Sequence, residues 1–408
     1  MQLIVFALGL VIGLLVNWGI YSLAWFPRPI GPFSPPPAGA PPRHWTHFLP
    51  VAGWFLRRCE GEFFGRGFWI RPLLLELALA AGLALLYGWE MSGRLYPLPA
   101  LAVPMTTALH GQFLAHALLI VAMTIATFID FDEQTIPDTI TIPGTIAGLV
   151  LAALWPESLL PLGVAAGSVI NLQVTSPLPW AAWLNGPRGL LLGCAIFTLW
   201  CLALIPATCT LRRGLVKGVQ FYFASALRGH EWWKLGLLAA VGCASLGAVW
   251  AIGGAMRWQA LITSLAGLAF GGLLVWSVRI VGRAALHKEA MGFGDVTLMA
   301  MIGAFLGWQT TLVVFFLSPV AALVIALSQW LLTGRRDIAF GPYLCLSALF
   351  AIVCWPAVWS RVSGIYSMGW IVPALFAACL LLMMAMLMFW RFAEEMLMGN
   401  AEGKKTGK

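Results

Sequence analysis

Apolar runs of about 20 residues recur along this chain, and that repetition constrains its fold more than any other feature. A helix needs roughly 20 predominantly apolar residues to cross a hydrocarbon core of about 30 Å. Only helices and closed barrels satisfy their own backbone in lipid, and the alternating segments of about ten residues that mark a membrane barrel are missing. The expectation is therefore all-α: a polytopic transmembrane helix bundle with cytoplasmic loops. Its 11 helices are expected at roughly 3–26, 72–89, 111–129, 139–155, 189–208, 235–254, 259–280, 296–308, 310–333, 341–358 and 369–390. The first run, Leu3 to Phe26, is too long for a signal-peptide core and lacks a basic flank, so it reads as a retained membrane helix.

Composition excludes other classes. Only 10% of the 408 residues are charged, against about a quarter in soluble domains. The net charge of +8 is not gathered into a basic face on a soluble module, so nucleic acid is not an expected partner. The eight cysteines are scattered and form no CxxC pair, which indicates neither a disulfide framework nor a zinc site.

Lys and Arg concentrate in the cytoplasmic loops of membrane proteins. With the amino terminus outside, the 11-helix reading leaves only Arg94, Arg188, Arg257 and Arg361 on the outer side. Joining 296–333 into one helix kinked at Pro319 would carry Arg335, Arg336, Arg391, Lys404, Lys405 and Lys408 outward, so two helices are expected there. The resulting organisation is a first helix at 1–26, a Pro- and Arg-rich cytoplasmic loop at 27–71 and membrane helices with a first acidic motif at 72–155. An enlarged insert at 156–290 follows, then a second acidic motif with its helices at 291–358, and a last helix with a charged cytoplasmic tail at 359–408.

Ionisable groups at a membrane helix are costly enough to suggest function. Asp130-Phe131-Asp132-Glu133 stands where the third helix leaves the bilayer, and Pro137-Asp138 opens the next helix after a tight turn. Met291-Gly292-Phe293-Gly294-Asp295 precedes the helix at 296. Gly292 and Gly294 permit close backbone approach and positive φ, and Asp295 falls at a helix amino terminus, where the macrodipole favours an anion. The charge-derived topology places both acids at one face although 165 residues separate them. Two carboxyl groups sharing a proton can hydrolyse a peptide bond, one activating water while the other protonates the carbonyl oxygen or the leaving amine. Elsewhere, Glu76 is a candidate buried partner for a basic group, and Arg71 and Glu76 are candidates for structural or substrate-anchoring roles. His110 and His116 lie most of a bilayer from Asp130 along their helix. Gly229-His230-Glu231-Trp232-Trp233 reads as an interfacial aromatic anchor.

These motifs resemble the bacterial prepilin peptidases, membrane aspartyl peptidases of the GxGD type. The resemblance is carried by Asp130 to Pro143, by Met291 to Asp295 with Gly303-Ala304-Phe305-Leu306-Gly307-Trp308-Gln309, and by Ile338-Ala339-Phe340-Gly341-Pro342-Tyr343-Leu344. Looser likeness covers Leu15 to Tyr21, Leu49 to Trp54 and Arg71 to Leu77. It implies Asp130 and Asp295 as the catalytic pair, with Asp132, Gly292, Gly294, Pro137 and Asp138 catalytic or supporting. Asp130 is favoured over Asp132 because the archaeal preflagellin relatives keep only the first acid.

The activity implied is removal of the basic leader of type IV prepilins or secretion-system pseudopilins at the cytoplasmic face of the bacterial inner membrane. No cofactor is implied for proteolysis; S-adenosylmethionine enters only if the chain also N-methylates the new terminus. Many members bind zinc through two CxxC pairs in the first loop. This loop holds Cys59 alone, so zinc is not expected and packing of Trp45, Phe48, Trp54, Phe55, Phe63, Phe64 and Trp69 is expected to hold it instead. The spacing between the acidic motifs also exceeds the usual pattern. The rival class is a proton-coupled transporter or an inactive pilus or secretion assembly scaffold, in which the same carboxylates relay protons or pair with basic groups.

Overall fold

The computed structural model describes residues 1–40, 42–96, 106–165, 168–205, 232–286, 291–333 and 339–403. Residues 206–231, with Gly229-His230-Glu231, lie outside these residues, as do Arg335 and Arg336. The protein is all-α, and every expected membrane helix has a counterpart. They are α1 (Gln2–Ser22), α4 (Ile70–Met91), α5 (Thr106–Glu133), α6 (Asp138–Leu154), α7 (Pro187–Ala203), α8 (Trp232–Ile252), α9 (Ala255–Leu286), α10 (Phe293–Thr333), α11 (Gly341–Val353) and α13 (Ile371–Gly403). Two short helices, α2 (Ala52–Leu56) and α3 (Gly61–Phe64), lie in the first loop, and α12 (Trp355–Tyr366) follows α11. Seven of the described helices are long and apolar enough to cross a membrane, or eight if the bent pair α11–α12 is one span.

The division of 296–333 has a clear physical cause. Helical geometry in α10 breaks at Gly307, with φ 78° and ψ 164°, and not at Pro319. A Cβ on Gly303 would stand 3.2 Å from Thr311 Oγ1, whereas eight residues of straight helix span about 12 Å. The chain therefore folds back at Gly307, and both arms lie on α9, where Gly267 and Gly271 meet Gly303, the Met299 carbonyl and Thr311. Glycines here let backbones touch, the usual device for packing helices in lipid.

The helix expected at 341–358 is shorter. It ends at Val353, and α12 leaves it at 95°. Pro356 cannot continue the first helix, and the Trp355 indole fixes the corner by donating to the Pro161 carbonyl at 2.7 Å. Pro161 begins a small antiparallel hairpin, β1 (Pro161–Ala165) with β2 (Ser168–Asn171), in the loop between α6 and α7. Beyond it, Trp308 donates to the Val174 carbonyl and Gln309 to the Gln173 carbonyl, both at 2.7 Å. This loop covers the Gly307 end of α10 and the Val353 end of α11. The opposite ends of both helices therefore share the other face, with the end of α5 and the start of α6.

The first loop is organised differently from expectation. Trp54 is buried, but Trp45, Phe48, Phe55 and Phe63 are exposed, so aromatic packing is not its main tie. A buried ion network replaces it. Glu60 accepts from Arg43 Nε (2.7 Å) and Nη2 (2.8 Å) and from Arg57 Nε (3.1 Å) and Nη2 (3.0 Å). Arg57 also donates to the Ile30 carbonyl at 3.0 Å and stands 4.8 Å over the Trp54 ring. Glu76 joins this loop to the membrane helices through neutral donors, where a basic partner was expected. It accepts from Asn17 Nδ2 (3.0 Å), Trp54 Nε1 (2.7 Å) and the backbone N–H of Val51 (2.6 Å). Val51 sits at φ 61°, a conformation that a β-branched residue adopts only under constraint.

Burial raises the affinity of the Glu60 carboxyl for its proton, but the hydrogen bonds and charges of Arg43 and Arg57 outweigh it and hold the group below its ordinary value. A depressed folded value means stability fully present above the unfolded value, about 4.3, and lost as pH falls through the folded one. Protection of residues 27–69 against hydrogen exchange should therefore be flat from pH 7 to about 5 and should weaken in more acidic buffer. Glu60→Gln should remove that acid dependence, and Glu60→Ala should destabilise the loop by about 3–5 kcal/mol through two uncompensated buried guanidinium groups. Unchanged acid sensitivity in Glu60→Gln would assign it to other groups.

Candidate active site

Asp130 and Asp295 are both buried, at 5% and 8% exposure, and lie at the same face of the bundle. Asp295 lies within the field of Asp130, and Cys345 of α11 within the field of both. Three helix ends create this meeting. Asp130 stands in the last turn of α5, Asp295 in the first turn of α10, and Gly341 begins α11.

The turn between α5 and α6 is the wedge that sets their spacing. Gln134 takes φ 54°, which reverses the chain and directs Ile136 into the bundle. A Cβ on Gly294 would stand 2.8 Å from Ile136 Cβ and 3.0 Å from its carbonyl oxygen. A Cβ on Gly341 would stand 2.8 Å from Ile136 Cδ1 and 2.6 Å from Asp130 Oδ2. Glycine at 294 and 341 is thus demanded by space. Neither Gly292 nor Gly294 has positive φ, which corrects the expectation drawn from their lack of a side chain.

Each acid is oriented by a backbone donor. The Gly341 N–H donates to Asp130 Oδ2 at 3.1 Å, and the Gly292 backbone N–H lies within hydrogen-bonding reach of the Asp295 carboxylate. Beneath Asp130, Thr127 of α5 lies beside the Cys345 thiol of α11. Pro137 caps α6 in an extended conformation and places Asp138 as its first residue. The Thr297 hydroxyl of α10 lies within hydrogen-bonding reach of both the Asp138 carboxylate and the Gly294 carbonyl, the latter at 3.1 Å. Asp138 therefore supports the turn that carries Asp295.

Asp132 faces away from this meeting point. It pairs with Arg71 Nη1 at 2.8 Å and Arg28 Nη1 at 3.2 Å, while Glu133 accepts from the backbone N–H groups of Trp25 and Phe26. Arg71 also lies 4.9 Å over the Phe128 ring. The second acid of the motif thus fastens α5 to the chain leaving α1 and to α4. Glu76 belongs to the α1–α4–loop junction.

Gly341, Ile136 and Thr297 were not singled out as site residues from the sequence. Gly341 carried a signal, since Phe340-Gly341-Pro342 is a conspicuous helix start; Ile136 and Thr297 carried none.

Residues 234–327 match the Type IV leader peptidase family, a segment that includes Asp295 and leaves out Asp130. The chain is similar to the prepilin leader peptidase/N-methyltransferase of Aeromonas salmonicida (strain A449), 34% identical over 90 residues, 21% of this chain and 31% of that relative. The Pseudomonas aeruginosa protein of the same name is 34% identical over 93 residues, 22% of this chain and 32% of its own. The Escherichia coli (strain K12) protein is 34% identical over 93 residues, 22% of this chain and 40% of its own. The chain thus spans about a third of the length of the first relatives it matches. No solved structure matches it significantly.

Gly294→Ala should cost about 1–3 kcal/mol, because the Ile136 backbone must yield to the added methyl. Gly292→Ala, whose Cβ would meet Asp295 Oδ2 at an ordinary 3.6 Å, should cost less. Melting of the purified variants in one detergent checks the order; equal melting temperatures would refute the wedge.

Proposed function

We propose, from the match of residues 234–327 to the Type IV leader peptidase family, that this multi-pass membrane protein is an aspartyl endopeptidase. Its substrates would be type IV prepilins or pseudopilins, cut at the cytoplasmic face of the bacterial inner membrane to release a basic leader. The observation that carries this reading is the meeting of Asp130 and Asp295 at one face, each buried and each held by a backbone N–H. A cytosolic leader and a membrane-embedded helix place the bond between them at this face.

Two carboxyl groups in mutual range cannot easily both be charged, so the pair carries one shared proton. The ionised member takes a proton from water as that water attacks the scissile carbonyl, and the protonated member supplies the carbonyl oxygen or the leaving amine. Gly341 and Gly292 hold the two carboxylates in place, so little reorganisation is needed on reaction. Asp138 and Thr297 act at one remove by fixing the Gly294 turn.

N-methylation of the released terminus would consume S-adenosylmethionine. The cavity between α4, α5 and α11 is lined almost wholly by hydrocarbon side chains and offers no carboxylate for a ribose, so it does not suit that co-substrate, and no methylation step is assigned to it. Cys59 is exposed, and its loop is built on the Arg43–Glu60–Arg57 network, an arrangement that needs no zinc.

In proteoliposomes with a prepilin-like substrate, Asp130→Asn and Asp295→Asn should each lower leader cleavage by at least about 10³-fold with melting temperatures preserved, as for loss of a general acid or base. Asp132→Asn should retain substantial activity. Cleavage surviving both of the first two substitutions would refute the aspartyl mechanism. An inactive but folded Asp132→Asn with an active Asp130→Asn would exchange the roles within the motif.

A further inference from the structure

The first loop is charged inside and aromatic outside. Its interior holds the buried Arg57 and Glu60 with Arg43 paired to them, while Trp45 is 73% exposed and Phe33, Phe55 and Phe63 are exposed as well. A segment folded against water alone would do the reverse, since apolar side chains gain by leaving water and charged ones lose. Exposed aromatic surface on this scale marks contact with another protein or with a membrane.

Two observations identify which. First, exposed rings stand at the level where membrane helices end. Trp25, 77% exposed, and Phe26 follow the end of α1 and are fastened by their N–H groups to Glu133, the last residue of α5. The Phe55 ring lies 5.2 Å from that of Trp69, which caps the start of α4. Because α1, α4 and α5 are each long and apolar enough to cross a membrane, their ends mark the depth of the headgroups, where aromatic side chains sit with the ring in the acyl boundary. A protein docking from solution would not require rings at that depth. Second, basic groups accompany the rings. Arg58 is exposed and its guanidinium stands 4.9 Å over the Trp69 ring; Arg66 is exposed too, and Glu62 is the one exposed acid among the described residues of 27–69. A guanidinium above an interfacial ring meets phosphate oxygens as the ring meets hydrocarbon.

We propose that the first loop is a membrane-surface module whose outer face rests on the phospholipid leaflet at the carboxylate face, with Trp25, Phe26, Phe55 and Trp69 at the acyl boundary and Arg58 and Arg66 on lipid phosphates. The loop is then held from two sides, by Glu76 within the bundle through Trp54 and the Val51 N–H, and by lipid beneath it. Its seating depends on headgroup charge, since each basic group near an anionic leaflet adds to the attraction. This goes beyond the peptidase reading and does not rest on it.

The test uses the full-length protein in proteoliposomes of anionic phospholipid that include a photoactivatable phospholipid with its carbene precursor near the top of the acyl chain. Mass spectrometry reads the labelled residues. Trp25, Phe26 and Phe55 should be labelled within about threefold of the yield on a membrane helix, for which Leu237 and Val241 of α8, both exposed, serve as reference. Arg58→Glu combined with Arg66→Glu should lower the loop yield about threefold or more and leave the α8 yield unchanged, with hydrogen exchange of residues 27–69 confirming that the variant loop is folded. Loop residues left unlabelled while α8 is labelled, or an unchanged yield in the folded double variant, would overturn the proposal. Rings unlabelled by lipid and shielded only when a prepilin-like substrate is added would likewise overturn it and assign the surface to a protein. Cleavage is not read, so failure of the peptidase reading would leave these outcomes untouched.

Discussion

The contact on which the site depends is the insertion of Ile136 between Gly294 and Gly341. In lipid, apolar side chains gain little by leaving one hydrocarbon environment for another, so helices associate through close packing and a few satisfied polar contacts. A single isoleucine wedged against two glycines therefore does at this face what a larger hydrophobic core does in water. It brings the ends of α5, α10 and α11 together, and the carboxylates follow because Asp295 directly follows Gly294 and Asp130 ends the helix whose turn carries Ile136.

The remaining packing serves that contact. The reversal of α10 at Gly307 lets both of its arms lie on α9, and the hairpin-bearing loop fixes the far ends through Trp308, Gln309 and Trp355. At the near face, Arg28 and Arg71 hold Asp132, so the acid beside Asp130 is neutralised by partners from two other segments. One motif thus supplies two acids with opposite duties: Asp130 is left to a backbone N–H and Asp132 is committed to ion pairs. Side-chain chemistry does not distinguish them; the 100° turn between successive helical residues does.

The membrane helices were legible in the sequence because hydropathy and loop charge act over windows of about 20 residues and do not depend on tertiary detail. The division of α10 was legible for the same reason: Arg335 and Arg336 required a second crossing. The common face of Asp130 and Asp295 followed from that topology. What failed to show was anything set by a single contact. Loop residues 27–69 carry many aromatics, and aromatic packing was the natural expectation, yet the tie is Glu60 between Arg43 and Arg57. Nothing in the spacing of those three residues distinguishes a buried network from a solvated one. The bend at Cys354 likewise depends on a tryptophan reaching a carbonyl 194 residues away in sequence.

One buried pair outside the site bears on the rival transport reading. His116 Nδ1 and Glu90 Oε1 are 2.7 Å apart, both groups fully buried, and His116 Nε2, Glu90 Oε2 and Gln112 Oε1 have no hydrogen-bond partner among the described residues. Ionisable groups inside membrane helices are the usual parts of a proton relay. A relay, however, needs groups within hydrogen-bonding steps of one another. His116 and Asp130 are separated by about 21 Å along α5, and the buried residues of that helix between them are Ala117, Leu119, Met123, Ala126 and Ile129. The hydroxyl of Thr124 is turned back onto its own helix. Glu90 lies in the last turn of α4, so the pair belongs to the face opposite the carboxylates. It joins α4 to α5 there, and a wall of hydrocarbon separates it from Asp130. That separation favours hydrolysis at one face over proton passage between two.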